Sequence, residues 1–294
     1  MSRYRRVVWS EGMLLTPHHF QQLDNYHEEL LSSRIGTLAP NEWGVLDVQV
    51  NRESIANGYF DLIRCRAVMP DGLMVNLPEV EQAPPPRAVA GHFEMADEHL
   101  DVYLAVPARR AGAINFYLPG AGGSQMARYL QDAGAVPDET TGDNERQVAF
   151  ARGNVRLLFA DELREGYSAI KIAELQRTAT GQFALSENWI PPALSVSAST
   201  WLVNMLRQLV EILITKSSTL SEQRRQRAAG LADFTTSEAG IFWLLHTVNA
   251  AIPELAHYFR TQPLHPERLY LSMAALAGEL ARDPTSSAHR HHRA

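Results

Sequence analysis

The groups with the means to do chemistry in this chain of 294 residues are adjacent histidines, paired carboxylates, one thiol and one glycine cluster. His18 and His19 open a predicted helix, where neighbouring side chains diverge by about 100° and chelate one metal poorly. His246 and His257 share a helix face only if Pro253 leaves the helix straight, and they read as buried or interfacial histidines. His289-Arg290-His291-His292-Arg293 is a tail that can bind metal opportunistically. The acid pairs Glu28-Glu29, Asp97-Glu98, Asp138-Glu139 and Asp161-Glu162 would serve a β-sandwich glycosidase only if two carboxylates met across a cleft, and in loops they read as solvated. Arg64 and Arg66 flank Cys65 and would activate an accessible thiol, whereas in a strand pattern a small buried filler is the simpler reading. Gly120-Ala121-Gly122-Gly123-Ser124 has neither a lysine nor a strand-to-helix setting to cradle a phosphate. Nucleophile elbow, phosphate-loop and zinc-protease motifs are all missing from the sequence. The expectation is a chain with no catalytic residues, no metal and no cofactor.

The N-terminus is unusual for another reason. Tyr4, Val7, Val8, Trp9, Met13, Leu14 and Leu15 crowd into a segment too irregular for one face of a strand or helix. Such a segment docks on its own domain or anchors a partner.

The elements that must hold these groups follow from composition and periodicity. At 45% hydrophobic and 20% charged residues, the chain can build ordinary cores, and its length suggests two domains. A net charge of −6 opposes a generic nucleic-acid binder. The acidity is concentrated before residue 191, and Lys171 and Lys216 are the only lysines. One cysteine cannot staple a secreted scaffold. No apolar run approaches a membrane span, and Ser10, Glu11 and Gly12 interrupt any signal-peptide core. A cytoplasmic location without membrane insertion is expected.

Thr16 and Pro17 should start a helix over about 17–36, ended by Gly36. Alternating runs at 45–50, 60–69, 73–77, 101–106, 114–118, 155–159, 168–175 and 183–185 predict an antiparallel β domain, a sandwich or a barrel. Met69-Pro70-Asp71-Gly72-Leu73 should form a tight turn between two of them. The stretch 120–146, rich in Gly, Asp, Thr and Asn, reads as a long loop with a short helix over 126–132. After Trp189-Ile190-Pro191-Pro192 the period turns helical. Leu202, Leu206, Leu209, Leu213 and Leu220 form one series, with Lys216 in a core position. Ile241, Leu245, Val248, Ile252, Leu255 and Phe259 form the next, interrupted by Pro253, which should kink or divide the helix. Leu269, Met273, Leu276 and Leu280 form the third, so an antiparallel helical bundle or coiled coil is expected, with room for a fourth partner from another chain.

Val8-Trp9-Ser10-Glu11-Gly12-Met13-Leu14-Leu15-Thr16-Pro17-His18-His19-Phe20-Gln21-Gln22 closely resembles the opening signature of the TssK family (ImpJ/VasE), type VI secretion baseplate subunits. The family usually carries glutamine at the position of His18. Trp189-Ile190-Pro191-Pro192, His265-Pro266-Glu267-Arg268-Leu269-Tyr270 and Gly278-Glu279-Leu280 continue the likeness from about Tyr4 to Ala281. The resemblance implies a shoulder domain similar to that of siphophage receptor-binding proteins over 1–190, a helical-bundle neck over 191–281, and a disordered tail over 282–294 where the family continues into a head domain. It also implies a non-enzymatic homotrimer, an adaptor between the TssF and TssG wedge and the inner-membrane complex of TssJ, TssL and TssM, docked at the inner face of that membrane. Loss of the head would put contact with TssL and TssM in doubt. Trp9, Met13, Pro17, His19, Phe20 and Gln21 are the implied partner-interface residues, unless they only seal the sandwich. The alternatives are a phage-type receptor or carbohydrate-binding module, and a β-sandwich glycosidase.

Overall fold

A computed structural model of the chain describes residues 4–39, 41–93, 98–119, 126–228 and 236–281. The glycine cluster from Gly120 to Ser124, Asp97 and the tail at 282–294 lie outside the described residues.

Pro17 does begin the first helix, α1 (Pro17–Leu38). Its N-terminus is closed by a capping box in which His19 takes the place usual for glutamate or glutamine. The His19 Nδ1 accepts from the Thr16 backbone N–H at 3.2 Å and lies 2.9 Å from Thr16 Oγ1. The helix continues through Gly36, which was expected to end it, and stops at Leu38.

The strands follow. β1 (Gly44–Val50) leads into a short helix α2 (Arg52–Ala56), capped where Asn51 Oδ1 accepts from the Glu53 and Ser54 N–H groups. Next come β2 (Tyr59–Phe60), β3 (Leu62–Val68), β4 (Met74–Leu77), β5 (Arg87–Ala88), β6 (His99–Pro107) and β7 (Phe116–Tyr117). The β region closes with β8 (Tyr129–Val136), β9 (Arg146–Gly153), β10 (Arg156–Phe159), β11 (Tyr167–Arg177) and β12 (Phe183–Leu185). Two sheets, ordered β1-β3-β4 and β10-β6-β11-β12, face one another across a single apolar core. Cys65, Ala67, Val75 and Leu77 come from the first sheet, and Val102, Leu104, Phe159, Ile170 and Leu175 from the second. The alternation along β6 and β11 sends alternate residues inward, as an antiparallel sheet with one packed face requires, except at a bulge in β11 where Ile172 and Ala173 are both buried and at the end of β6, buried from Leu104 to Pro107. The turn between β3 and β4 forms as expected: Gly72 takes φ +85° and its N–H donates to Met69 O at 2.9 Å.

The long loop with a short helix over 126–132 is not what forms. Residues 129–136 are β8, paired antiparallel with β9 from Tyr129↔Gly153 to Val136↔Arg146 without a break in register. Asp132 and Gly134 interrupt the alternation of β8 and disguise it as a loop. In the hairpin the Phe150 ring lies across Gly134, 3.1 Å from where a Cβ would be. The run at 114–118 contracts to β7, which pairs with β8 in parallel.

Three helices follow: α3 (Thr200–Ala228), α4 (Thr236–Arg260) and α5 (Pro266–Ala281). Leu202, Leu206 and Leu213 of α3 meet Val248 and Leu255 of α4 and Leu269 and Leu276 of α5 in a second apolar cluster. Lys216 does not sit in that core: it is exposed, and the layer is instead bridged by Ser217 Oγ donating to Asn249 Oδ1 at 2.5 Å. α4 runs through Pro253 undivided.

Candidate partner interface

The N-terminal arm lies along α1. Tyr4 N–H donates to Glu29 Oε2 at 2.9 Å, the Arg6 guanidinium sits 5.6 Å over the Tyr26 ring, and the Trp9 ring is 6.1 Å from His19 and 6.3 Å from Phe20. Trp9, His19 and Phe20 are thereby brought together, with Pro17 in the first helical turn. Met13 is half-buried, and its sulfur accepts from Ser10 N–H at 3.5 Å. Gln21 is exposed beside Phe20. The arm therefore docks on its own chain, yet the unit it forms stays on the surface: α1 has no buried residue, and Trp9 and Phe20 remain 48% and 50% exposed.

The rest of α1 shows the same. Phe20, Leu31 and Leu38 fall within about 20° of one helical direction. Leu31, Ile35 and Leu38 are 60%, 51% and 86% exposed. Among the described residues nothing covers this apolar stripe, which makes it a candidate contact surface. The spacing of these residues was readable in the sequence, but their outward direction was not.

α1 is held by polar contacts at one end of the sandwich. Arg109 donates to Asn25 Oδ1 and pairs with Glu28 at 3.0 Å, and Ser32 Oγ lies 2.9 Å from the Cβ position of Gly72. The hairpin of β8 and β9 is mounted on the same turn. Arg128, only 5% exposed, donates to Asp71 Oδ2 at 2.6 Å and to Pro107 O at 3.0 Å. Burial lowers the Arg128 pKa, but the hydrogen bond and charge of Asp71 outweigh it, so the guanidinium is held as a cation.

The join between the sheets and the helices is stitched by backbone. Val45 N–H donates to Pro192 O at 2.7 Å and Leu194 N–H to Val45 O at 2.9 Å. Trp189, at the start of this join, lies under Lys171 Nζ at 4.6 Å, and Lys171 pairs at 2.6 Å with both Asp101 and Glu174. Burial would lower the Lys171 pKa, yet those two carboxylates raise it.

Among the described residues, the groups singled out for chemistry lie in structural contacts or in solvent. Cys65 is fully buried, and burial, aided by Asp47, pushes its thiol up to about 12. Glu28 and Glu29 hold Arg109 and Tyr4, Asp161 pairs with His92 at 2.8 Å, and Glu162 pairs with Arg87. Asp138 and Glu139 are exposed in the turn between β8 and β9. His246 and His257 are exposed rather than buried, His246 beside Phe242 and Trp243 on the outside of α4. Among the described residues no group of His, Cys, Asp and Glu is placed to hold a metal ion, and no helix is long and apolar enough to cross a membrane.

The family model described as bacterial type VI secretion, VC_A0110, EvfL, ImpJ, VasE matches residues 19–290. Over 283 residues the chain is 34% identical to the type VI secretion system baseplate component TssK1 of Pseudomonas aeruginosa, covering 95% of this chain and 61% of that protein. The chain thus spans about three fifths of that relative's length. It resembles a chain of the baseplate complex from the type VI secretion system with a TM-score of 0.85 and 27% identity, over 95% of this chain and 62% of the other. A chain of a TssK-TssF-TssG baseplate subcomplex matches with a TM-score of 0.81 and 25% identity, over 95% and 88% of the two chains. With the signature around Trp9 and Phe20, the mixed β and helical fold and this match over most of its length, the chain belongs to the ImpJ/VasE family of bacterial type VI secretion.

Proposed function

We propose that the chain is a structural, non-enzymatic subunit of a type VI secretion baseplate, a homotrimeric adaptor between a TssF and TssG wedge and the inner-membrane complex of TssJ, TssL and TssM. The observation that carries this reading is the arm and α1, a unit with an exposed apolar stripe and no buried residue in the helix, borne by a relative of proteins seen in TssK-TssF-TssG assemblies. In this reading residues 1–190 form the wedge-facing shoulder, similar to that of siphophage receptor-binding proteins, and 191–281 form the neck, followed by the tail at 282–294. Trp9, Met13, Pro17, His19, Phe20 and Gln21 form the wedge contact. Trimerisation is supported by the outer faces of the helices, where Trp201, Ile212, Trp243, Tyr270 and Leu271 are exposed. The subunit works in the cytoplasm, at the inner face of the inner membrane.

Co-expression of the full chain with TssF and TssG, followed by affinity capture and light scattering, tests the proposal. A trimer mass for the chain alone and joint elution with both wedge proteins are expected. A monomer that captures neither wedge protein at micromolar concentration overturns it.

A further inference from the structure

We propose that the hairpin of β8 and β9 docks onto a second copy of this chain, with its acidic tip seated against the arginine-lined pocket at the base of the neighbour's hairpin. The inference rests on the self-association proposed above and says which surfaces meet.

The hairpin lacks the cover it needs. Residues 146–151 of β9 are exposed on both faces, with Val148 and Phe150 39% and 49% accessible, and β7 adds only two residues to the far side of β8. Ribbons of two strands are marginal in water without a packed face.

Two sheet edges in the molecule are treated in opposite ways. On β10 the outward Leu157 carbonyl accepts from Arg87, and the outward Phe159 N–H donates to Glu162. Along β9, among the described residues, the one hydrogen bond on the outer edge is Val155 N–H to Gly153 O at its end, and between Arg146 and Arg152 neither proline, lysine nor bulge guards it. An open, regular edge flanked by exposed apolar side chains is a surface built to be met.

Charge selects the occupant. The turn at 137–145 carries Asp138, Glu139, Asp143 and Glu145 and no basic residue. At the other end of the hairpin a pocket of about 570 Å³ is lined, among the described residues, by Arg87, Arg152 and Arg156 and by one acid, Glu162, which is paired with Arg87, over an apolar floor that includes Pro84 and Leu158. Arg152 Nη1 donates to Gln82 Oε1 at 2.6 Å, while its buried Nε has no partner among the described residues. Tip and pocket are separated along β9 by roughly 20 Å, so a hairpin does not reach its own pocket. Tip against tip would oppose four acids to four acids. Tip against pocket joins opposite charges, and both halves of that contact occur on this one chain, which is the condition for self-docking.

The test uses two full-length variants carrying different tags, Thr141→Cys at the tip and Ala83→Cys at the pocket, mixed and treated with a short bismaleimide. Native Cys65 is buried and contributes little background. A cross-link between the two tags is expected. Arg152→Glu in the pocket chain should weaken it about tenfold, and Asp143→Arg with Glu145→Arg in the tip chain should restore it, a rescue that misfolding does not mimic. Self-association by light scattering without this cross-link overturns the inference and leaves the trimer reading standing. A cross-link that forms only when TssF or TssG is added also overturns it, since the occupant is then the wedge. A strict monomer removes both readings.

Discussion

Arg87 and Glu162 together close the free edge of the larger sheet. Their side chains pair in two places, at 2.6 Å and 3.1 Å, and each also reaches the backbone of β10. Arg87 donates to Leu157 O at 2.8 Å, and Glu162 accepts from Phe159 N–H at 2.7 Å, so the ion pair stands where another strand would lie.

Replacing Arg87 by methionine should therefore cost more than an ordinary surface ion pair, which contributes at most about 1 kcal/mol. The variant leaves the Leu157 carbonyl unpaired and Glu162 without its counter-charge, a loss of about 2–3 kcal/mol. Urea unfolding measures it, and a loss below about 0.5 kcal/mol would place the pair among neutral surface contacts.

The same pair sets an acid limit. Burial raises the Glu162 pKa, but the hydrogen bonds from Arg87 and Phe159 and the charges of Arg87 and His92 outweigh it and hold the carboxyl below the usual range. A folded pKa below the unfolded one gives stability that is complete above the unfolded value and is lost as pH falls through the folded one. Unfolding midpoints should drop between about pH 4.5 and lower pH in the parent, and drop less in Glu162→Gln, which starts from a lower stability at pH 7. Parallel pH profiles for the two proteins would contradict the assignment.

Gly44 marks the join between sheets and helices. Its φ is +143°, and a Cβ there would meet Pro192 O at 2.7 Å and Ala193 N at 3.1 Å, both backbone atoms that cannot swing aside. Gly44→Ala should destabilise the chain by about 2–4 kcal/mol, with loss of the bonds between Val45 and the segment from Pro192 to Leu194 visible as faster amide exchange at Val45. A melting temperature unchanged from the parent would show that the join is more pliable than it looks.

Trp9→Ala and Phe20→Ala separate stability from contact. Both side chains are about half exposed and pack against each other on the arm and α1, so each should cost under about 1 kcal/mol of folding stability. Capture of TssF and TssG should fall about tenfold or more for each, as expected of aromatic anchors at an interface. Equal losses in stability and capture would reduce these residues to seals of the fold.

Much of the architecture was legible because its signals were local. Val102, Leu104 and Val106 alternate in β6, Pro70 and Gly72 punctuate the turn before β4, and Leu202, Leu206 and Leu213 keep helical spacing in α3. The hairpin of β8 and β9 escaped because β9 is exposed on both faces over 146–151 and β8 is fully buried only at Tyr129, so neither strand has a packed side to enforce alternation and Asp132 and Gly134 are tolerated in β8. Lys216 was misplaced because spacing cannot show that Ser217 and Asn249 bridge that layer. For the candidate interface, residue types located Trp9 and Phe20, but whether Leu31, Ile35 and Leu38 faced inward depended on what else in the chain lay against α1, and that is not written in α1 itself.

The turn from Met69 to Leu73 carries one last consequence. Asp71 grips the buried Arg128 at the root of the hairpin, and Gly72, its neighbour, rests against Ser32 of α1. Surface turns ordinarily absorb insertions and deletions with little effect. Here an added residue between these two would shift one mounting out of phase with the other, so the length of this turn is as constrained as any core position, although Pro70, Asp71 and Gly72 are exposed.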